Sequence, residues 1–231
     1  MMEEKYKKIL KKEKLTQKSN SILNRSVDTD PVFQHKDVCF MTDEEKIEKI
    51  KKHFFQIMKI LGLDMNDDSL RKTPKRVAKM FIQEIFSGLN SKNSPNLSIF
   101  ENKYKYKQML IEKNITVYST CEHHFLPIVG KAHVGYISNG KVVGLSKINR
   151  IVNFYAKRPQ VQERLTIQIV QYLQKMLDTQ DVACVIEAKH LCVNSRGIRD
   201  IDSSTITTEL IGSFKKNSEI REEFLHHIGI S

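Results

Sequence analysis

Apolar residues recur at Ile47, Ile50, Phe54, Ile57 and Leu61, the three-and-four spacing that draws one stripe along a helix. Thr42-Asp43-Glu44-Glu45 stands just before them. A Thr followed three residues later by Glu forms a capping box, so the helix is predicted to start there and to end near Gly62. A second helix is predicted with Thr73 as its cap and Pro74 at its first position. Val77, Phe81 and Ile85 mark its inner face, and Gly88 closes it. Arg76 and Lys79, three apart, share another face, where spacing alone reads as solvated charge. From Ile115 the pattern becomes strand-like. Residues 131–137 and 141–145 flank Asn139-Gly140, which predicts a hairpin. Ser146 is placed to cap a helix carrying Ile148, Ile151, Val152 and Tyr155, and Arg158-Pro159 breaks it. A further helix is predicted from Pro159, with Val161, Leu165, Ile169 and Leu173 inward, followed by strands over 182–193 and 204–214.

Two helices, two strands, two helices and two strands make an α+β protein. Residues 1–41 show no sustained apolar period. Their first 18 residues hold seven lysines and three glutamates, so they are read as a basic, polar, flexible tail. A helical region is expected over 42–110 and the main domain over 111–231.

Composition narrows the classes. The 231 residues, 40% of them hydrophobic, suffice for one good-sized core with a smaller appendage. No apolar run is long enough to span a membrane, and the first residues lack the apolar region of a signal peptide. Four cysteines without a C-x-x-C pair argue against a disulfide framework, so a reducing cytoplasm is expected. The net charge of +11 suits an anionic substrate, nucleic acid, or simply a lysine-rich surface. Nucleic acid is not expected, because basic residues are not interleaved with aromatics in a known module and Trp is absent.

The chemistry gathers at Cys121-Glu122-His123-His124 and at His190-Leu191-Cys192. Thiolate and imidazole together favour zinc over oxygen-seeking cations. Two cysteines and one His from these clusters make a three-ligand set, which leaves a position for water and a spare His for proton transfer. On a strand over 182–193, His190 and Cys192 would share one face. Cys184 has the same parity but lies between Val182 and Ile186, so it is read as a core thiol. Cys121 and His124 would point apart in a straight strand. If both bind one ion, the chain must turn there, as Pro127 allows.

Together with Gly144-Leu145-Ser146-Lys147-Ile148-Asn149-Arg150, Arg158-Pro159-Gln160-Val161-Gln162-Glu163-Arg164-Leu165 and the helix beginning Thr73-Pro74-Lys75-Arg76, these clusters resemble the GTP cyclohydrolase I family from about residue 45 to 230. The resemblance implies a T-fold: an antiparallel sheet with a helix pair between strand pairs, preceded by an N-terminal helical region. It implies conversion of GTP and water to 7,8-dihydroneopterin triphosphate and formate, the entry to pterin and folate synthesis. In that family zinc activates water for attack on guanine C8, histidines move protons, and an Amadori rearrangement precedes ring closure. Residue by residue, Cys121, His124 and Cys192 match the zinc ligands, and His123 and His190 the acid–base pair. Glu163 matches the guanine reader, with Gln162 beside it. Lys147, Arg150, Arg196, Arg76 and Lys79 match phosphate contacts, and Ser146 lies by the ribose and phosphates. The implied assembly is a homodecamer of two stacked pentamers with sites between subunits. A structural-zinc protein would leave His123, His190 and Glu163 without a role, and a deaminase would need the His-x-Glu and Pro-Cys-x-x-Cys pair this chain lacks.

Overall fold

The computed structural model describes residues 41–96 and 98–230, which belong to one compact unit. The tail expected over 1–41 lies, except for Met41, outside the described residues.

Helix α1 (Asp43–Ile60) opens on the expected capping box: the Thr42 side chain accepts from Glu45 N, and the Glu45 carboxylate accepts from Thr42 N. Helix α2 (Thr73–Lys79) starts one residue earlier than expected. Lys72, not Thr73, occupies the cap, without a side-chain hydrogen bond. It continues as a π-helical turn, Met80–Ile85, and a 3-10 turn, Ser87–Leu89, in which Gly88 is buried. Gly88 lies against the chain at 154–157, where a Cβ would sit 2.1 Å from Phe154 O, so no larger residue fits. The Arg158 guanidinium holds this junction, donating from Nε to Gly88 O at 2.9 Å while packed 4.7 Å from the Phe154 and Tyr155 ring centres.

The main sheet runs β5-β2-β3-β6-β7. Its members are β2 (Met109–Cys121), β3 (Pro127–Ile137), β5 (Pro159–Gln160), β6 (Val182–His190) and β7 (Thr205–Leu210). The four longer strands are antiparallel, and β5 adds a two-residue parallel step beside Thr120 and Cys121. Between the strand pairs, α3 (Leu145–Ala156) and α4 (Gln162–Leu177) pack on the sheet. This is the α+β T-fold arrangement with its N-terminal helical region. The expected boundary at 110/111 falls inside β2.

Four local expectations change. The Asn139-Gly140 turn forms, with Gly140 at φ +90, but no hairpin follows. Both edges of β3 are already taken by β2 and β6, so β4 (Lys141–Val143) leaves the sheet and pairs with β1 (Ile99–Glu101). Ser146 is not the cap of α3; Gly144 is. Pro159 does not begin a helix, because it and Gln160 are held against β2, and α4 starts at Gln162. The strand predicted over 182–193 ends at His190, and Cys192 sits in a helical turn, α5 (Leu191–Asn194).

The C-terminal helices α6 (Ser213–Lys216) and α7 (Ser218–Ile228) escaped the periodicity. They bring Phe214, Phe224 and Ile228 onto Ala183 and Val185, the β6 residues alternate to Cys184 and Ile186. That burial on both faces explains why β6 lacks polar alternation. Cys184 is wholly buried, as expected, and burial pushes its thiol far above the usual range.

His133 is also buried, on β3, where its Nδ1 accepts weakly from Asn114 N at 3.5 Å beside the β2 irregularity. Burial, and to a lesser degree Lys131, lowers its pKa below the ordinary 6.5. A neutral His133 is thus favoured by folding, and the unfolded chain binds the extra proton first. The contribution is lost as pH falls below about 6.5 towards the folded value. His133→Gln should flatten this part of the acid loss, measured as the difference in unfolding midpoint between pH 7.5 and pH 5.

Candidate active site

The turn between β2 and β3 does what the cysteine and histidine spacing requires. Phe125 N donates to Cys121 O at 2.8 Å and Cys121 N to Leu126 O at 2.8 Å, so residues 122–125 fold back on themselves. Phe125 takes a positive φ of 54, uncommon for an aromatic residue. Its ring packs on Phe86 and Phe81, with centroids 5.3 and 6.3 Å away. The helical region that carries Arg76 and Lys79 is thereby tied to this turn.

The reversal puts Cys121 and His124 on one side, where Cys192 arrives from α5. The ligand atoms of these three residues lie within 4.8 Å of one another, forming a three-donor group among the described residues. Zinc bonds of about 2.3 Å to sulfur and 2.0–2.1 Å to nitrogen give ligand separations of roughly 3.6–3.8 Å in a tetrahedron. Small side-chain rotations close that difference, and two thiols with one imidazole are donors zinc accepts. The residues fit the ion. Cys192 reaches the group through a helical turn rather than through strand alternation with His190. Burial first, and then the neighbouring Cys121, raises its thiol pKa. Arg196 acts on Cys192 in the opposite sense, which places its charge near the group.

His123 and His190 stand beside the donors without joining them. His123 Nδ1 lies 3.7 Å from Cys121 Sγ. His190 ends β6, and its Nε2 is 2.8 Å from Gln162 Oε1. The Gln162 amide is buried; its Nε2 donates to Ile186 O and to Thr205 O, both at 2.9 Å. With both amide hydrogens committed, Oε1 is an acceptor, and the His190 nitrogen facing it must carry the hydrogen. Burial lowers the His190 pKa, while the Glu163 charge nearby pulls it the other way. Glu163 itself is exposed in the first turn of α4.

Not every expected site residue joins this group. Lys147 and Arg150, one turn apart on α3, instead line a cavity of about 400 Å³ with Asn93, Asn96 and Lys157, and none of the three metal donors borders it. Ser146 is exposed at the start of α3, and Arg76 and Lys79 are exposed on α2. Sequence reasoning gave no partner to Glu122. Its carboxylate pairs with Arg164 of α4, a relation hidden by a separation of 42 residues.

The chain matches a family model described as GTP cyclohydrolase I over residues 50–229. It is 66% identical over 192 residues to a protein named GTP cyclohydrolase 1 from Flavobacterium johnsoniae, an alignment covering 83% of this chain and 86% of that protein. A protein of the same name from Vibrio cholerae is 55% identical over 185 residues, covering 80% of this chain and 85% of its own length.

Proposed function

The chain belongs to the GTP cyclohydrolase I family, and on that premise we propose that it converts GTP and water to 7,8-dihydroneopterin triphosphate and formate, with zinc held by Cys121, His124 and Cys192. The observation that carries this reading is the meeting of those three donors from separate segments, with His123 beside Cys121 and His190, held by Gln162, two residues before Cys192. Zinc, when bound, supplies a Lewis acid that lowers the pKa of a coordinated water to about 7.

The chain's own groups divide the remaining work. Guanine shows N1–H and its 2-amino group side by side, and the Glu163 carboxylate accepts from both. That contact presents the imidazole ring of the base to the metal-binding group. His123 donates a proton to N7 as the ring opens. His190 presents Nδ1 as its acceptor, because Gln162 fixes the hydrogen on Nε2. The resemblance places Gln162 with the base reader, but its buried, fully engaged amide favours holding His190 over touching guanine. Loss of C8 as formate, the Amadori rearrangement and ring closure each move protons, which the same histidines can relay.

Lys147, Arg150, Arg196, Arg76 and Lys79 are the cations for the triphosphate, and Ser146 the hydroxyl near ribose and phosphate. One chain does not gather all of them around the metal donors: Lys147 and Arg150 line their own cavity. A site completed between subunits accounts for that separation. Among the described residues, β2 meets β5 only at Thr120 and Cys121, and β7 meets only β6, which leaves long edges for joining copies into a ring. The proposed stoichiometry, a decamer of two stacked pentamers, comes from the family resemblance, and these edges are compatible with it. No helix among the described residues is long and apolar enough to cross a membrane.

The deciding experiment is incubation with GTP, with and without a chelator, followed by assay for formate and for fluorescent oxidised neopterin. Both should appear in a fixed ratio and vanish on chelation. GTP left intact by the zinc-supplemented protein would defeat the proposal.

A further inference from the structure

Glu122 sits between a metal donor and a candidate proton donor, yet neither role is its own. Its carboxylate is outside the three-donor group, and its Oε1 is 3.8 Å from His123 Nε2, too far for a hydrogen bond. Oε2 instead meets Arg164 Nη2 at 2.5 Å, with side-chain exposures of 19% for Arg164 and 25% for Glu122. Arg164 lies in the first turn of α4, where a cation faces the positive end of the helix. A carboxylate supplied from outside the helix offsets that cost.

The pair is the end of a continuous network. Arg164 Nε donates to Gln160 Oε1 at 3.0 Å, and Nη2 also donates to Pro159 O at 3.0 Å. Gln160, wholly buried, donates through Nε2 to Tyr155 O and Gln168 Oε1, each at 2.9 Å. The backbone closes the loop: Glu122 N donates to Gln160 O at 3.0 Å, and Cys121 is paired with Gln160 across the β2–β5 step. The turn bearing Cys121 and His124 is thus tied to α4 through the Arg164 side chain, in addition to its backbone bonds to Gln160.

We propose that Arg164 and Glu122 are positioning residues for the metal donors, setting the Cys121–His124 turn at the spacing the ion requires. The inference rests on the zinc reading above. Supports of metal ligands commonly change metal affinity about 10–100-fold when removed.

The test is zinc affinity of the full chain, read by competition with a chromophoric chelator, for Glu122→Gln, Arg164→Met, Arg164→Lys and the Glu122→Gln/Arg164→Met double variant. Each of Glu122→Gln and Arg164→Met should weaken zinc about tenfold or more. The double variant should lose no more than the worse single, since both cut one link. Arg164→Lys, which keeps the charge, should recover part of the loss, and the KM for GTP of zinc-saturated variants should stay within about twofold. Unchanged zinc affinity in the single variants, or losses that multiply in the double, would overturn the proposal. Arg164→Met also forfeits the bonds to Gln160 and Pro159; if it fails to fold, Glu122→Gln, which spares them, decides alone. A wild-type chain that binds no zinc in the same competition would instead defeat the zinc reading itself.

Discussion

Cys192→Ala should yield a folded protein that carries no stoichiometric zinc and turns over GTP at least about a thousandfold more slowly. The Sγ of Cys192 is one of three soft donors gathered within 4.8 Å, so its loss leaves two, one of them the exposed His124. Metal catalysis of this kind contributes several kcal/mol, and each 1.36 kcal/mol is a factor of ten in rate, so a loss of about 10³–10⁴-fold follows. The fold should survive, because Cys192 occupies a short helical turn at the sheet's end, and Ala is the residue a helix accepts most readily. Metal analysis by mass spectrometry and circular dichroism check both halves. Cys184→Ala is the matched control: its thiol is wholly buried in β6, outside the donor group, and zinc content should not change. A Cys192→Ala protein that retained one zinc per chain would remove Cys192 from the ligand set.

The gathering of Cys121, His124 and Cys192 was legible in the sequence, though the path to it was not. Residue types alone favoured a three-ligand site, and the need for Cys121 and His124 to face one way predicted the turn that Phe125 N now closes on Cys121 O. Strand alternation, however, carried Cys192 to the site for the wrong reason. The β6 pairing with β3 ends at the His190–Ile128 step, and the chain then coils, a change that no local apolar period announces. Long-range pairing overrode local signals elsewhere too. Asn139-Gly140 makes its turn, but the fate of the following strand depended on whether β3 had an edge to offer, and β2 and β6 had taken both.

The least legible parts depend on side chains distant in sequence. Gln162 and His190 are 28 residues apart, and the direction of their hydrogen bond follows only from the two carbonyls, Ile186 O and Thr205 O, that claim the amide hydrogens. Glu122 and Arg164 are equally invisible to spacing. Arg76, Lys79, Lys147 and Arg150 show the opposite limit: periodicity reads the first two as solvated charge, and a single chain indeed leaves them exposed. Their proposed role depends on a ligand and on neighbouring copies rather than on intrachain packing.

His190→Ala separates proton transfer from metal binding. Its ring is held by Gln162 and contributes no atom to the three-donor group, so the variant should keep its full complement of zinc. Turnover should nonetheless fall by about 10²–10⁴-fold, the usual contribution of a placed general acid or base. The loss should lie mainly in kcat, because the proposed base reader Glu163 and the proposed phosphate cations remain. Gln162→Ala should show a smaller loss in the same direction, since it leaves the imidazole in place but frees its tautomer and its orientation. That order follows from the proposed roles: His190 would act on the substrate directly, whereas Gln162 would act through its hydrogen bond to His190. Zinc content measured beside single-turnover rates checks it. Loss of metal from His190→Ala would make this histidine a ligand and transfer the proton-relay role to His123 alone.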